Sequence, residues 1–190
     1  MCLEVFPKAR YFCIDPLDEN QPFLEQFSAK YPNVRYWQGC LGAKAGMVTL
    51  NVDGLGSSVL TGHTGNPYGI QRKVMAETLD NLILKEICPQ PDLIKLDVQG
   101  YELEVLKGAT TSLRKVQAII AEVSFFAFQR GMPVFHEVVT QLAEYGFAVY
   151  DFLGLSLRPL DGAPAQTDLL FLQATHLLRS SNRWDRNSVY

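Results

Sequence analysis

Acidic residues that close short apolar runs are the points where this sequence could do chemistry. Asp97 ends Leu93-Ile94-Lys95-Leu96, and Gly100 and Glu102 follow where an amphipathic stretch opens that stops at Lys107-Gly108. A run of that kind suits a strand buried on both faces, as in a parallel sheet. In open α/β sheets ligands bind beyond the carboxyl ends of the strands, and Asp97, Gly100 and Glu102 fall there. Asp15-Pro16 closes an earlier run, where an acid can accept hydrogen bonds from the ribose hydroxyls of a nucleoside. Glu122 closes a third run on an expected neighbouring strand, so its carboxylate should share a crevice with that of Asp97. A carboxylate partly shielded from water has its pKa raised and can take a proton. Each acid also has a plainer use. Asp-Pro starts ordinary turns, Asp97 and Glu122 could cap helices or hold loops, and Glu102 could stabilise its own helix through the dipole.

Other candidates are weaker. Gly54-Leu55-Gly56-Ser57-Ser58 lacks the full Gly-x-Gly-x-x-Gly pattern and follows no strand-to-helix junction. Ser57 and Ser58 are expected to donate hydrogen bonds from a pliable wall over the pocket. His63 in the same segment could accept a proton, while His136 and His176 have no companions. Arg158 and Asp161 either border the site or form a structural pair. Two acids and a third oxygen could hold Mg²⁺, but the sequence positions no further ligand, and no metal is expected.

Hydrophobic periodicity supplies the elements that position these residues. Strands are predicted at 10–14, 34–41, 46–52, 73–76, 92–98, 117–123, 147–152 and 167–173. Helices are predicted at 20–31, 78–87, 102–107 with a further turn to 114, and 135–145. Segment 54–69 is a long loop, and 158–164 is a Pro/Gly-rich link. Strands alternating with helices imply an α/β fold, a mainly parallel sheet covered on both faces.

The 190 residues suffice for one domain with a sizeable core. A net charge of −3 leaves no basic footprint for nucleic acid, and no run of lysine and arginine resembles a membrane anchor. The four cysteines show neither Cys-x-x-Cys nor zinc-ligand spacing, and Cys13 and Cys40, in apolar strands, read as buried, reduced thiols. No signal peptide and no membrane-spanning run is evident, so the expected compartment is the cytoplasm.

Residues 95–109, Lys-Leu-Asp-Val-Gln-Gly-Tyr-Glu-Leu-Glu-Val-Leu-Lys-Gly-Ala, closely resemble the signature of the FkbM family of S-adenosylmethionine-dependent methyltransferases. Cys13-Ile14-Asp15-Pro16, Ser57-Ser58, Thr78-Leu79-Asp80, Ala121-Glu122-Val123 and Arg158-Pro159-Leu160-Asp161-Gly162 match in the same order, so the resemblance covers about residues 6–173. It implies a Rossmann-like methyltransferase sheet and S-adenosylmethionine as cofactor. It also implies methyl transfer to a hydroxyl oxygen of a small molecule or sugar. Asp15 and Pro16 would hold the ribose, and Asp97 with Gly100 would border cofactor and acceptor. Ser58 and Glu102 would line the cofactor side, with Glu122 as the second acid.

The family's first strand and its Asp-x-Gly-x-Asn-x-Gly loop, which holds the methionine end, would precede residue 1. Leu3-Glu4-Val5-Phe6-Pro7 then reads as the last turn of the following helix. On this expectation residues 1–178 are a single domain incomplete at its N-terminus, and 179–190 are a loosely ordered tail. The first strand would normally lie between the 10–14 and 92–98 strands. Its absence would impair transfer and leave a sheet edge open to self-association. The competing expectation is a non-catalytic remnant that binds a nucleoside weakly or serves as an interaction module.

Overall fold

The computed structural model describes residues 2–52, 57–60 and 70–185. One helical turn, α1 (Cys2–Val5), leads to β1 (Tyr11–Asp15), α2 (Gln21–Lys30), β2 (Val34–Gln38), β3 (Cys40–Leu41) and β4 (Gly46–Val52). Then come β5 (Ile70–Glu77), α3 (Leu79–Leu84), β6 (Leu93–Leu96), α4 (Glu102–Lys107) and β7 (Ala118–Ser124). The chain continues through α5 (Phe135–Glu144), β8 (Phe147–Leu157) and β9 (Pro164–Gln173). Local chemistry sets several boundaries. Pro22 in the first turn and Pro32 just beyond Tyr31 bracket α2. Thr78 caps α3 by accepting a hydrogen bond from the Asn81 N–H at 3.0 Å.

The predicted 34–41 strand divides at Gly39. A Cβ there would run into the Trp37 ring and lie 2.9 Å from the Met75 carbonyl oxygen. Glycine therefore lets the chain leave β2, which pairs with β1, and enter β3, which pairs with β5.

The sheets are mixed rather than mainly parallel. β1–β2, β3–β5 and β6–β7 are parallel, while β4–β5, β7–β9 and β8–β9 are antiparallel. The 158–164 link is a tight return, with Arg158 N–H donating to the Ala163 oxygen at 2.7 Å and Gly162 N–H to the Arg158 oxygen at 2.8 Å. So short a connection permits only antiparallel neighbours, and both flanking strands run longer than predicted.

Only one face of the β6–β7–β9–β8 sheet is covered by described residues. Ile119, Ala121 and Val123 of β7 and Leu169 and Phe171 of β9 are buried against Leu82 of α3, Leu106 of α4 and Val138 and Leu142 of α5. Their alternates Ile120, Glu122, Asp168 and Leu170 are half-exposed. The apolar run at 117–123 had implied burial on both faces. The described helices around this core instead gather on the same side.

β1 and β6 contribute Phe12, Ile14, Ile94 and Leu96 to that one core, yet among the described residues β1 pairs with β2 alone and β6 with β7 alone. Tyr11 N–H donates to the Asn33 oxygen and Gly39 N–H to the Asp15 oxygen, so odd-numbered residues of β1 face β2. Phe12 and Ile14 then turn their backbone groups the other way. On β6, Ala118 N–H donates to the Asp92 oxygen, which leaves Leu93 and Lys95 facing outward. Leu93 is 49% exposed although its strand is apolar.

Glu77 clasps the start of α3. Its carboxylate accepts hydrogen bonds from Lys85 Nζ at 2.6 Å, Asn81 Nδ2 at 2.9 Å and Thr78 N–H at 2.9 Å. Lys85 first, then Asn81 and Thr78, hold this carboxyl down to about 2, against an ordinary 4.5. A depressed acid contributes stability above its unfolded pKa and loses it as pH falls through the folded value. Melting temperature should therefore fall between about pH 4.5 and 2. Glu77→Gln should flatten that part of the curve; an unchanged acid limb would exclude Glu77 as its source.

Candidate functional site

The sheet face that no described helix covers carries a polar cluster at the carboxyl ends of β6 and β7. Leu96 pairs with Ala121, so Asp97 lies beside Glu122, which is opposite Asp168, while Ser124 is opposite Gln166. Lys95, Asp97, Glu122, Gln166 and Asp168 therefore share one side of the sheet. Gln99 Nε2 donates to Asp97 Oδ1 at 3.0 Å and to Glu122 Oε2 at 3.2 Å. Gln166 Nε2 donates to the same Glu122 oxygen at 2.9 Å. Lys95 Nζ lies 2.6 Å from Asp168 Oδ1 and 3.6 Å from Asp97 Oδ2. Gln99 has φ +51°, a left-handed conformation uncommon outside glycine, and this aims its amide between the two acids.

Glu122 is the member suited to proton transfer. Burial pushes its carboxyl up, the negative charge of Asp97 adds to this, and Lys95 opposes it. A half-buried carboxylate raised in this way is a stronger base than a free one. Asp97 is more open, with half of its side-chain area exposed.

The neighbouring candidates hold the loop. Ser58 is buried; its Oγ donates to the Gln99 backbone oxygen at 2.8 Å and accepts from Leu60 N–H at 3.1 Å. Gly100, expected to border cofactor and acceptor, sits at φ +92°. Its Cβ space is instead taken by Leu60 and Met132, each 2.8 Å from where that atom would sit. Glu102 was expected on the cofactor side, yet it is 3% exposed and its Oε1 accepts from Gly100 N–H at 3.1 Å and Val98 N–H at 3.3 Å. Burial pushes its carboxyl up, and those backbone donors pull it back.

Asp15 ends β1, followed by Pro16, and both are half-buried. Its Oδ1 accepts from Leu17 N–H and its Oδ2 from Asn20 Nδ2, both at 2.8 Å. Each oxygen keeps a further lone pair, so the carboxylate can still receive ribose hydroxyls. No hydrogen bond or ion pair among the described residues joins Asp15 to the Glu122 cluster. His63 and Gly54 to Gly56 lie outside the described residues.

Arg158 grips Asp161 across the β8–β9 turn and stacks 4.1 Å over the Phe126 ring. His176 caps a short 3-10 turn, and His136 lies on α5. No group of three or more potential metal ligands is found among the described residues. Cys13, Cys40 and Cys88 are free thiols. A cleft of about 370 Å³ lies at the opposite, amino end of β1, lined by Arg10, Asn33, Arg35, Glu86 and Gln90.

Sequence reasoning missed Lys95, Gln99, Gln166 and Asp168. Period-two spacing already placed Lys95 beside Asp97. Gln166 preceded the predicted last strand, and only strand pairing brings it to Glu122.

The methyltransferase FkbM domain matches residues 14–149, a span that holds both strand-end acids of the cluster, Gln99 and Asp15. The chain is also similar to the hexuronic acid methyltransferase AglP of Haloferax volcanii, 46% identical over 44 residues, or 23% of this chain. That match spans only 18% of the relative's length. No solved structure matches the chain. Paired acids at the carboxyl ends of adjacent parallel strands thus accompany a family match over most of the sequence, and the chain belongs to the FkbM methyltransferase domain family.

Proposed function

We propose that this chain belongs to an S-adenosylmethionine-dependent methyltransferase acting on a hydroxyl oxygen of a small molecule or sugar. The observation that carries the choice of hydroxyl is Glu122, whose carboxyl is raised by burial while its Oε1 accepts no hydrogen bond from the described residues. Family membership supports methyl transfer, and the relative named for a hexuronic acid supports a sugar acceptor. S-adenosylmethionine supplies an electrophilic methyl group when bound. Asp15, positioned by Pro16, receives ribose hydroxyls, and Asp97 borders the cofactor and acceptor. Ser58, Gly100 and Glu102 fix the loop that carries Gln99, and Glu122 takes the hydroxyl proton. β1–β2 and β6–β7–β9–β8 are then parts of one Rossmann-like sheet that flank a strand position. The protein works in the cytoplasm; no described helix is long and apolar enough to cross a membrane.

The test is transfer of labelled methyl from S-adenosylmethionine to hexuronates and neutral sugars. Label in a base-stable methyl ether is expected; base-labile label would indicate methylation of a carboxylate and overturn the hydroxyl assignment.

The outward backbone groups of Phe12, Ile14, Leu93 and Lys95 favour a second behaviour, self-association through strand edges that are unpaired among the described residues. Sedimentation should show concentration-dependent association. A monomer with cooperative unfolding at high temperature would contradict it. A chain that associates, binds nucleosides weakly and transfers no methyl group would instead be an interaction module.

A further inference from the structure

We propose that Gln99 and Gln166 are a pair of positioning residues that hold one oxygen of Glu122 and so present the other to the acceptor hydroxyl. This rests on the methyl-transfer function proposed above. Both amides donate to Oε2, at 3.2 and 2.9 Å, from separate elements, the loop after β6 and strand β9. Two donors converging on one oxygen fix the rotation of the carboxylate about its terminal torsion, which is otherwise broad. Oε1 is then the atom left to receive a proton. The hydroxyl proton passes to Oε1, the hydroxyl oxygen bonds to the methyl carbon, and the C–S bonding pair stays on sulfur.

The backbone is arranged for this task. Gln99 is held at φ +51°, where its carbonyl accepts from buried Ser58 and its side chain spans Asp97 and Glu122. Gln166 stands opposite Ser124, one diagonal step from Glu122 on the same sheet face. The charged groups around Glu122 are Asp97 and Lys95 from β6 and its end, Asp168 from β9 and Glu102 from α4. Lys95 is shared between Asp168 and Asp97, so the direct donors to Glu122 are the two amides. Hydrogen bonds to the ionised form keep an acid's pKa from climbing further under burial.

The test is a carboxyl-carbon NMR titration of Glu122 in the whole chain, as wild type, Gln166→Met and Gln99→Asn. Methionine keeps the length of Gln166 without its donor. Asparagine tolerates the left-handed backbone but cannot reach as far. Each variant should raise the Glu122 midpoint by about one pH unit, because a donor to the ionised form is lost. In the methyl-transfer assay the acid limb of kcat should move up with it, and the high-pH plateau should fall roughly ten-fold as orientation is lost. Unmoved midpoints in both folded variants would overturn the pair's role, as would a normal plateau in both. The titration needs neither cofactor nor acceptor. A wild type that transfers no methyl group therefore overturns the proposed function separately, and with it the presentation of Oε1.

Discussion

Glu122→Gln should lower methyl transfer by about 10²–10⁴-fold, the range for loss of a general base, with little change in melting temperature. Glutamine preserves the size of the side chain, and its carbonyl oxygen can still accept from Gln99 and Gln166. Only the charge and the proton-accepting oxygen disappear. A carboxyl whose folded pKa is raised costs stability once ionised, so its removal should be neutral or mildly stabilising above that pKa. Wild-type rate should rise with pH through a midpoint above the ordinary 4.5, since burial and Asp97 both disfavour the charge. Paired measurement of kcat and melting temperature checks this. Near-normal turnover would remove Glu122 from the chemistry, and lost stability would make it structural. Asp97→Asn is expected to act in the same direction by altering the field at Glu122 and the hold on Gln99.

Gly108→Ala should destabilise the fold by ~3 kcal/mol, at the upper end for overpacking. A Cβ at this position would overlap the Gly42 carbonyl oxygen and sit 3.2 Å from the Thr78 Cβ. Both obstacles are anchored: Gly42 N–H donates to the Glu77 oxygen at 3.0 Å, and Thr78 Oγ1 accepts from Asn81 N–H at 3.0 Å. Gly108 has φ −85°, which alanine adopts freely, so the loss would come from space and not from backbone strain. For a chain of this size the melting temperature should fall by roughly 6–12 °C. A loss under about 1 kcal/mol would mean that the β3–α4 junction yields more easily than its hydrogen bonds suggest.

The elements that local chemistry defines were legible in the sequence. The 46–52 strand and the 102–107 helix fall where alternation, first-turn acids and Lys107-Gly108 put them. The 34–41 strand did not survive, because the collision of a Gly39 side chain with Trp37 and Met75 is a tertiary fact. Among the described residues, coverage of the sheet departs from expectation for a related reason. Apolarity at Ile119 to Val123 records that these residues are strand-like, but which face is covered depends on where α3, α4 and α5 fold back. At the candidate site, Asp15, Asp97 and Glu122 could be found because acids after apolar runs stand out. The buried duties of Gly100 and Glu102 could not, since a loop clasp and a ligand contact use the same residue types. Gln99 and Gln166 lie 67 positions apart in number and meet only through strand register.

Backbone-amide NMR of the whole chain titrated with S-adenosylhomocysteine tests the placement of the site most directly. Concentrations up to about 1 mM bring even affinities at the weak end of the scale within reach. The expected result is a set of concentration-dependent shifts confined to the turn after Asp15, the Ser58 segment and the loop from Asp97 to Gly100. Shifts confined to Arg10, Asn33, Arg35, Glu86 and Gln90 at the amino end of β1, or none at all, would contradict a methyl-donor site at the carboxyl ends of β1 and β6.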